Sequence, residues 1–96
     1  MTFEIAPKST EIQANWDDAR LYCFSLNIDG KTGWRLPTKE ELSEIYHLEN
    51  DFEDWYYWSS TEYDDTTAWI QDMSYGTQYG NGKDYGGYVR AIRDLS

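Results

Sequence analysis

Two adjacent carboxylate pairs, Glu53-Asp54 and Asp64-Asp65, are the residues whose types could do acid–base chemistry. That chemistry needs two carboxyl groups held at a fixed separation across a substrate. Neighbours on a strand point to opposite faces, and on a loop they have no set spacing, so neither pair supplies the geometry. The chain has one histidine, His47, and one cysteine, Cys23, and neither sits in a pattern that suggests a nucleophile–base pair or a triad. A single histidine also excludes a histidine-rich metal centre. The Asn and Asp oxygens of "NIDGKTG", Asn27 to Gly33, lack the alternating order and closing glutamate of a calcium loop. With no phosphate-cradling loop either, the residues point away from catalysis, and no cofactor or metal is expected.

Recognition is the chemistry that remains. Between Ser74 and Gly87 the sequence reads "SYGTQYGNGKDYGG", with five glycines and three tyrosines in fourteen residues. Tyrosine contributes a large contact area at low entropic cost, and Gly and Asn let a loop adapt to its ligand. Tyr75, Tyr79, Asn81, Asp84 and Tyr85, with Tyr63 and Asp64 from the preceding turn, are therefore the candidate binding residues. The plainer alternative is that these tyrosines simply cover the sheet. The composition predicts a hairpin or long loop, with the turn at Asn81-Gly82.

The whole chain sets limits on the partner. Its 96 residues support one domain, spanning 1–96, with one modest core. Only 40% of the residues are broadly hydrophobic but 18% are aromatic, so the core should be built largely from rings. Eighteen acidic against eight basic residues leave a formal charge of −10, which repels nucleic-acid phosphates and anionic membranes. No stretch is apolar enough to span a bilayer, and "MTFEIAPKST" lacks the order of a signal peptide, so a cytoplasmic protein is expected. Besides a recognition module for a protein or glycan, this charge leaves a second reading open. A small acidic, phage-encoded inhibitor could occupy the basic, nucleic-acid-binding site of a host protein.

These residues need elements to hold them. Phe3–Ala6 alternates like a strand ended by Pro7. Asn15 stands at an N-cap ahead of a helix over Trp16–Leu26, whose Trp16, Ala19, Cys23 and Leu26 share one face, with Tyr22 beside them. That placement makes Cys23 a packed, unreactive thiol. In "GWRLPTKEELSEIY", Thr38 precedes Glu41 by three residues, the capping-box spacing, and Leu42, Ile45 and Tyr46 form a helical stripe ending near Leu48. His47 falls at the helix end, where its charged form suits the dipole. Strands are predicted at "YYWSST" (Tyr56–Thr61), "TTAWIQDM" (Thr66–Met73) and, as one run, "GYVRAIRDL" (Gly87–Leu95).

The series "NWDDARLYC", "GWRLPTKEEL", "YWSST", "AWIQDM" and "YVRAIRDL" resembles a bacterial and phage domain family of unknown function. That family includes the C-terminal domain of Legionella collagen-like adhesins and is similar to the C-type-lectin-like superfamily. The resemblance runs from about Trp16 to Leu95. It implies an α+β, C-type-lectin-like fold, with two helices flanking a twisted, mainly antiparallel sheet and a long Gly/Tyr-rich loop facing the ligand. Trp34, Leu36, Pro37, Leu42, Trp58, Ser59, Ser60, Thr61, Trp69, Arg90 and Arg93 fall on the family pattern as residues that define the fold. The Glu-Pro-Asn, Gln-Pro-Asp and Trp-Asn-Asp triplets of calcium-dependent lectins are absent, and the resemblance therefore carries no calcium-mediated sugar site. The "RLPT" corner is also similar to one in formylglycine-generating enzymes, but the late cysteines of those enzymes are missing.

Overall fold

The computed structural model describes residues 2–48 and 51–95. In chain order the elements are β1 (Phe3–Ile5), β2 (Ile12–Ala14), α1 (Trp16–Ser25), β3 (Trp34–Arg35), α2 (Lys39–Leu48), β4 (Tyr56–Glu62), β5 (Thr67–Asp72), β6 (Gln78–Gly82), β7 (Gly87–Val89) and β8 (Ile92–Asp94), with a single 3-10 turn at Lys8–Thr10. They form a five-stranded sheet in the order β2-β7-β4-β5-β6 and a three-stranded sheet in the order β1-β8-β3. Every pairing is antiparallel except that of β4 with β7, so the fold is α+β with mixed and antiparallel sheets. Among the described residues no helix is long and apolar enough to cross a membrane.

The period of two along the strands sorts the core into two clusters. Trp58, Ala68, Ile70 and Val89 join Trp16, Ala19 and Cys23 of α1 in one of them. Their strand neighbours Tyr57 and Tyr88, with Ile92 of the smaller sheet, join Leu42, Ile45 and Tyr46 of α2 in the other. The two helices thus cover opposite faces of the larger sheet, and rings fill much of both layers. Gly87 makes one close approach possible, since a Cβ there would lie 2.8 Å from Trp58 Nε1.

Both helices begin as their sequences predict. Asn15 Oδ1 accepts from the Asp18 amide at 2.9 Å. At α2 the Glu41 amide donates to Thr38 Oγ1 at 3.1 Å while Glu41 Oε1 accepts from the Thr38 amide at 2.8 Å, closing the capping box. Glu41 also binds Arg35 in a two-pronged ion pair with both contacts at 2.8 Å, and Arg35 reaches Asp94 on β8 at 2.8 Å. Leu36 and Pro37 are buried between these ties, which makes the "RLPT" corner a joint between the small sheet and α2.

Three expectations need correction. The Gly/Tyr-rich segment is not one long loop, because Gln78–Gly82 pairs with β5 along its whole length. Asn81 and Gly82 consequently lie inside β6, and the turn falls at Lys83–Tyr85, where the Tyr85 amide donates to Gly82 O at 3.1 Å. The run from Gly87 to Leu95 is two strands in different sheets. It breaks at Arg90–Ala91, where the chain turns to the N-terminal segment: the Ala6 amide donates to Ala91 O at 2.9 Å and Arg90 Nε donates to Ala6 O at 2.6 Å.

The Arg35 guanidinium holds the Glu41 carboxyl below the ordinary glutamate range, against the opposing effect of burial. A carboxyl depressed in the folded state stabilises the fold above its unfolded value of roughly 4.3 and loses that contribution as the pH falls through its lower folded value. Urea midpoints followed downward from that pH should therefore drop more steeply in the wild type than in Glu41→Gln. Equal slopes would show that Glu41 contributes nothing to acid sensitivity.

Candidate functional site

The site is built on an irregularity in β4. Between the pairs Trp58–Ile70 and Glu62–Ala68 that strand carries two more residues than β5, which places a bulge at Ser59–Thr61. Polar side chains satisfy the groups the bulge releases. Ser59 Oγ donates to Trp69 O at 2.7 Å and accepts from the Thr61 amide at 3.1 Å, and Trp16 Nε1 donates to Ser59 O at 2.8 Å. Thr61 Oγ1 accepts from the Lys39 amide at 3.1 Å, which holds the start of α2 against the bulge. These contacts place Lys39 over Trp69, with Nζ 4.2 Å from the ring centroid.

Trp69 forms one wall of an open depression of about 480 Å³ at the β6 edge of the larger sheet. The exposed Tyr63 ring meets Trp69 edge to face at 5.3 Å and 66°. Gly80 lies directly opposite Trp69 and adds no side chain. Gln78 lines the same hollow and is fixed by donating to Lys39 O at 2.6 Å and to Gln71 Oε1 at 2.7 Å. The arrangement offers ring edges and the Gln78 side-chain oxygen to a ligand, with the Lys39 ammonium seated on Trp69.

The structure brings together three of the predicted residues, Tyr63, Asp64 and Tyr79, at this hollow. Their roles differ. Tyr63 presents its ring, whereas Tyr79 is half-exposed at the rim and packs against Tyr56 at 6.3 Å. Asp64 closes the β4–β5 turn, its Oδ1 accepting from the amides of Thr66 and Thr67 at 2.9 and 2.8 Å and from the Thr67 hydroxyl at 2.7 Å. That hydroxyl, followed by the backbone donors, holds its carboxyl below the usual aspartate range.

The other candidates are dispersed. Tyr75 is exposed on the β5–β6 turn, at the other end of that hairpin from Tyr63. Tyr85 packs against Trp58 at 6.3 Å, as a residue covering the core does. Asn81 is inside β6 opposite Ala68, and Asp84 lines a separate acidic recess of about 710 Å³ with Asp17, Asp18 and Asp65. Among the described residues no three His, Cys, Asp or Glu side chains are grouped to hold a metal ion.

Sequence reasoning passed over Lys39, Gln78 and Gly80 and took Trp69 for a fold residue alone. A signal for Trp69 was present, since it alternates with the buried Ala68 and Ile70 and so occupies the opposite face of β5. A further groove of about 520 Å³ runs beside α1, with the exposed Leu21 and Phe24 over Trp34 and Leu36. Of its two cations, Arg35 is bound to Glu41 and Asp94, while Arg20 lies over the Trp16 ring at 4.6 Å with Asp17 3.9 Å away.

Comparison with known proteins places the chain in a family. The profile of the Lcl C-terminal domain matches residues 4–93, and the chain belongs to that family. No curated protein matches it. Among solved structures it is similar to a chain of "The von Willebrand Factor mutant (I546V) A1 domain-botrocetin Complex", with a TM-score of 0.61 and 13% identity over 97% of this chain and 89% of that one. At that identity the likeness concerns the fold.

Cys23, the one thiol, lies in the core beneath α1 and is fully buried. Burial pushes its pKa up to about 12, which leaves essentially no thiolate at neutral pH. Ellman's reagent should label the native protein only as fast as it unfolds. Rapid stoichiometric labelling without denaturant would contradict this placement.

Proposed function

We propose that this member of the Lcl C-terminal domain family is a non-enzymatic binding module, of C-type-lectin-like fold, that recognises a protein or glycan at the Tyr63–Trp69 depression. The observation that carries the reading is the exposed Tyr63 ring held edge-on to Trp69, with Lys39 above and Gln78 beside it. Aromatic side chains on a supported strand lose little freedom on binding, and such anchors carry most of the affinity in recognition surfaces. Membership of a family that takes its name from the C-terminal domain of a collagen-like adhesin agrees with a recognition role.

The candidate residues divide accordingly. Tyr63 supplies contact area, Tyr79 the rim and Asp64 the turn that presents Tyr63, while Tyr75, Asn81, Asp84 and Tyr85 stand apart from this hollow. An acidic inhibitor gains no support from the structure or the relatives. Some of its carboxylates are engaged within the fold, with Glu11, Glu41, Glu62 and Asp94 held in ion pairs and Asp64 in a turn.

Wild-type protein and Trp69→Ala should be applied to a glycan array and to a library of random linear peptides at about 0.15 M salt, where distant surface charges are screened. Ligands retained by the wild type should lose tenfold or more in affinity with Trp69→Ala, and similarly with Tyr63→Ala, while thermal unfolding shows both variants folded. Undiminished binding by both variants would place the recognition surface elsewhere.

A further inference from the structure

The open edge of β6 lies beside this depression, and its hydrogen-bonding pattern is defined from both ends. The Asp72 amide donates to Thr77 O at 2.8 Å and the Lys83 amide donates to Thr66 O at 2.9 Å. In the register Ala68–Asn81 and Ile70–Tyr79, Tyr79 and Asn81 therefore turn their amides and carbonyls toward β5, as do the Thr77 carbonyl and the Lys83 amide, while Lys83 O accepts from the Trp16 amide at 2.9 Å. Gln78, Gly80 and Gly82 turn theirs outward. Gly82 O accepts from the Tyr85 amide, but among the described residues the amides of all three and the carbonyls of Gln78 and Gly80 have no partner in the chain.

Exposed strand edges are ordinarily blunted by a charge, a proline, a bulge or a covering element. β6, with the sequence Gln-Tyr-Gly-Asn-Gly, has no charge and no proline, and its register with β5 is unbroken. Two of its three outward-facing residues are glycines, and the side chain of the third, Gln78, is turned to Lys39 O and Gln71 Oε1. The edge also leads into the hollow. A Cβ on Gly80 would lie 3.4 Å from Tyr63 Cγ, so a residue paired with Gly80 on an added strand projects its side chain to the Tyr63 face.

We propose that the ligand is an extended polypeptide segment that adds to β6 as a sixth strand and seats one large apolar or aromatic side chain against Tyr63 and Trp69. Main-chain bonds to Gln78 and Gly80 supply affinity, and the hollow selects the side chain. The seating of that side chain rests on the depression being the recognition surface. Charge argues for a different chain as the occupant: two copies at −10 each repel, and Asp64 and Asp65 near this edge favour a neutral or basic segment.

The test uses the full chain with peptides selected from a random linear library. Amide hydrogen exchange should slow at Gln78, Gly80 and Gly82 on binding. Affinity should fall tenfold or more when alternate backbone amides of the peptide are N-methylated, and also with Gly80→Pro, which removes an outward amide outside the β5 ladder. Failure to select any peptide, or bound peptides that leave those three amides unprotected, would overturn strand addition. Binding of glycans alone, abolished by Trp69→Ala, would overturn it and leave the depression as the recognition site. Edge protection that persists in Trp69→Ala would support strand addition and contradict the role of the depression.

Discussion

Arg90 is a guanidinium inside a protein too small to hide one cheaply. Its side chain is 3% exposed and donates to Ala6 O, to Glu11 Oε2 at 2.8 Å and to Asp51 Oδ2 at 2.9 Å, with the Phe52 ring 4.6 Å away. Glu11, 9% exposed, also accepts from the Tyr57 hydroxyl at 2.9 Å, and that hydroxyl in turn accepts from the Glu53 amide. One side chain thus gathers the N-terminal segment, the approach to β4 and the break between β7 and β8. Removing one partner of such a pair leaves an uncompensated buried charge, which costs much more than the pair's net contribution.

The proposed binding surface depends on this junction by a short route. Arg90 fixes where the last strands divide between sheets, which leaves β7 beside β4 and puts Tyr88 opposite Tyr57. β4 can then carry its bulge, with Ser59 and Thr61 satisfying the interrupted ladder and the start of α2. Trp69 and the start of α2 are tied to that bulge, and Gln78 joins them by donating to Lys39 O. Within "WSST", Trp58 packs the core while Ser59 and Thr61 tie the bulge to β5 and to the start of α2.

What the sequence revealed follows the range of the interactions involved. Thr38 and Glu41, or Asn15 and Asp18, are three residues apart and form their bonds wherever a helix starts, so both caps and both helices were legible. The strands at Tyr56–Glu62 and Thr67–Asp72 were legible from alternation and β-branched or aromatic content. β6 was not, because its glycines have poor strand propensity and its order comes from β5. β3, at two residues, is defined only by its partner β8. The break at Arg90 depends on Ala6 and Glu11, about eighty residues away in sequence. Of the proposed recognition surface, Tyr63 was legible as an aromatic beside a turn. Lys39 was not, since only the fold brings it to Trp69.

A double-mutant cycle on Arg90 and Glu11, followed by chemical denaturation at neutral pH, tests the buried junction most directly. Arg90→Met strands the Glu11 carboxylate and should cost about 3–5 kcal/mol. Adding Glu11→Gln removes the stranded charge while keeping an acceptor for Tyr57, and the double variant should be more stable than Arg90→Met alone. An Arg90→Met variant that loses less than about 1 kcal/mol, the range of an exposed ion pair, or a double variant whose losses simply add, would contradict this account.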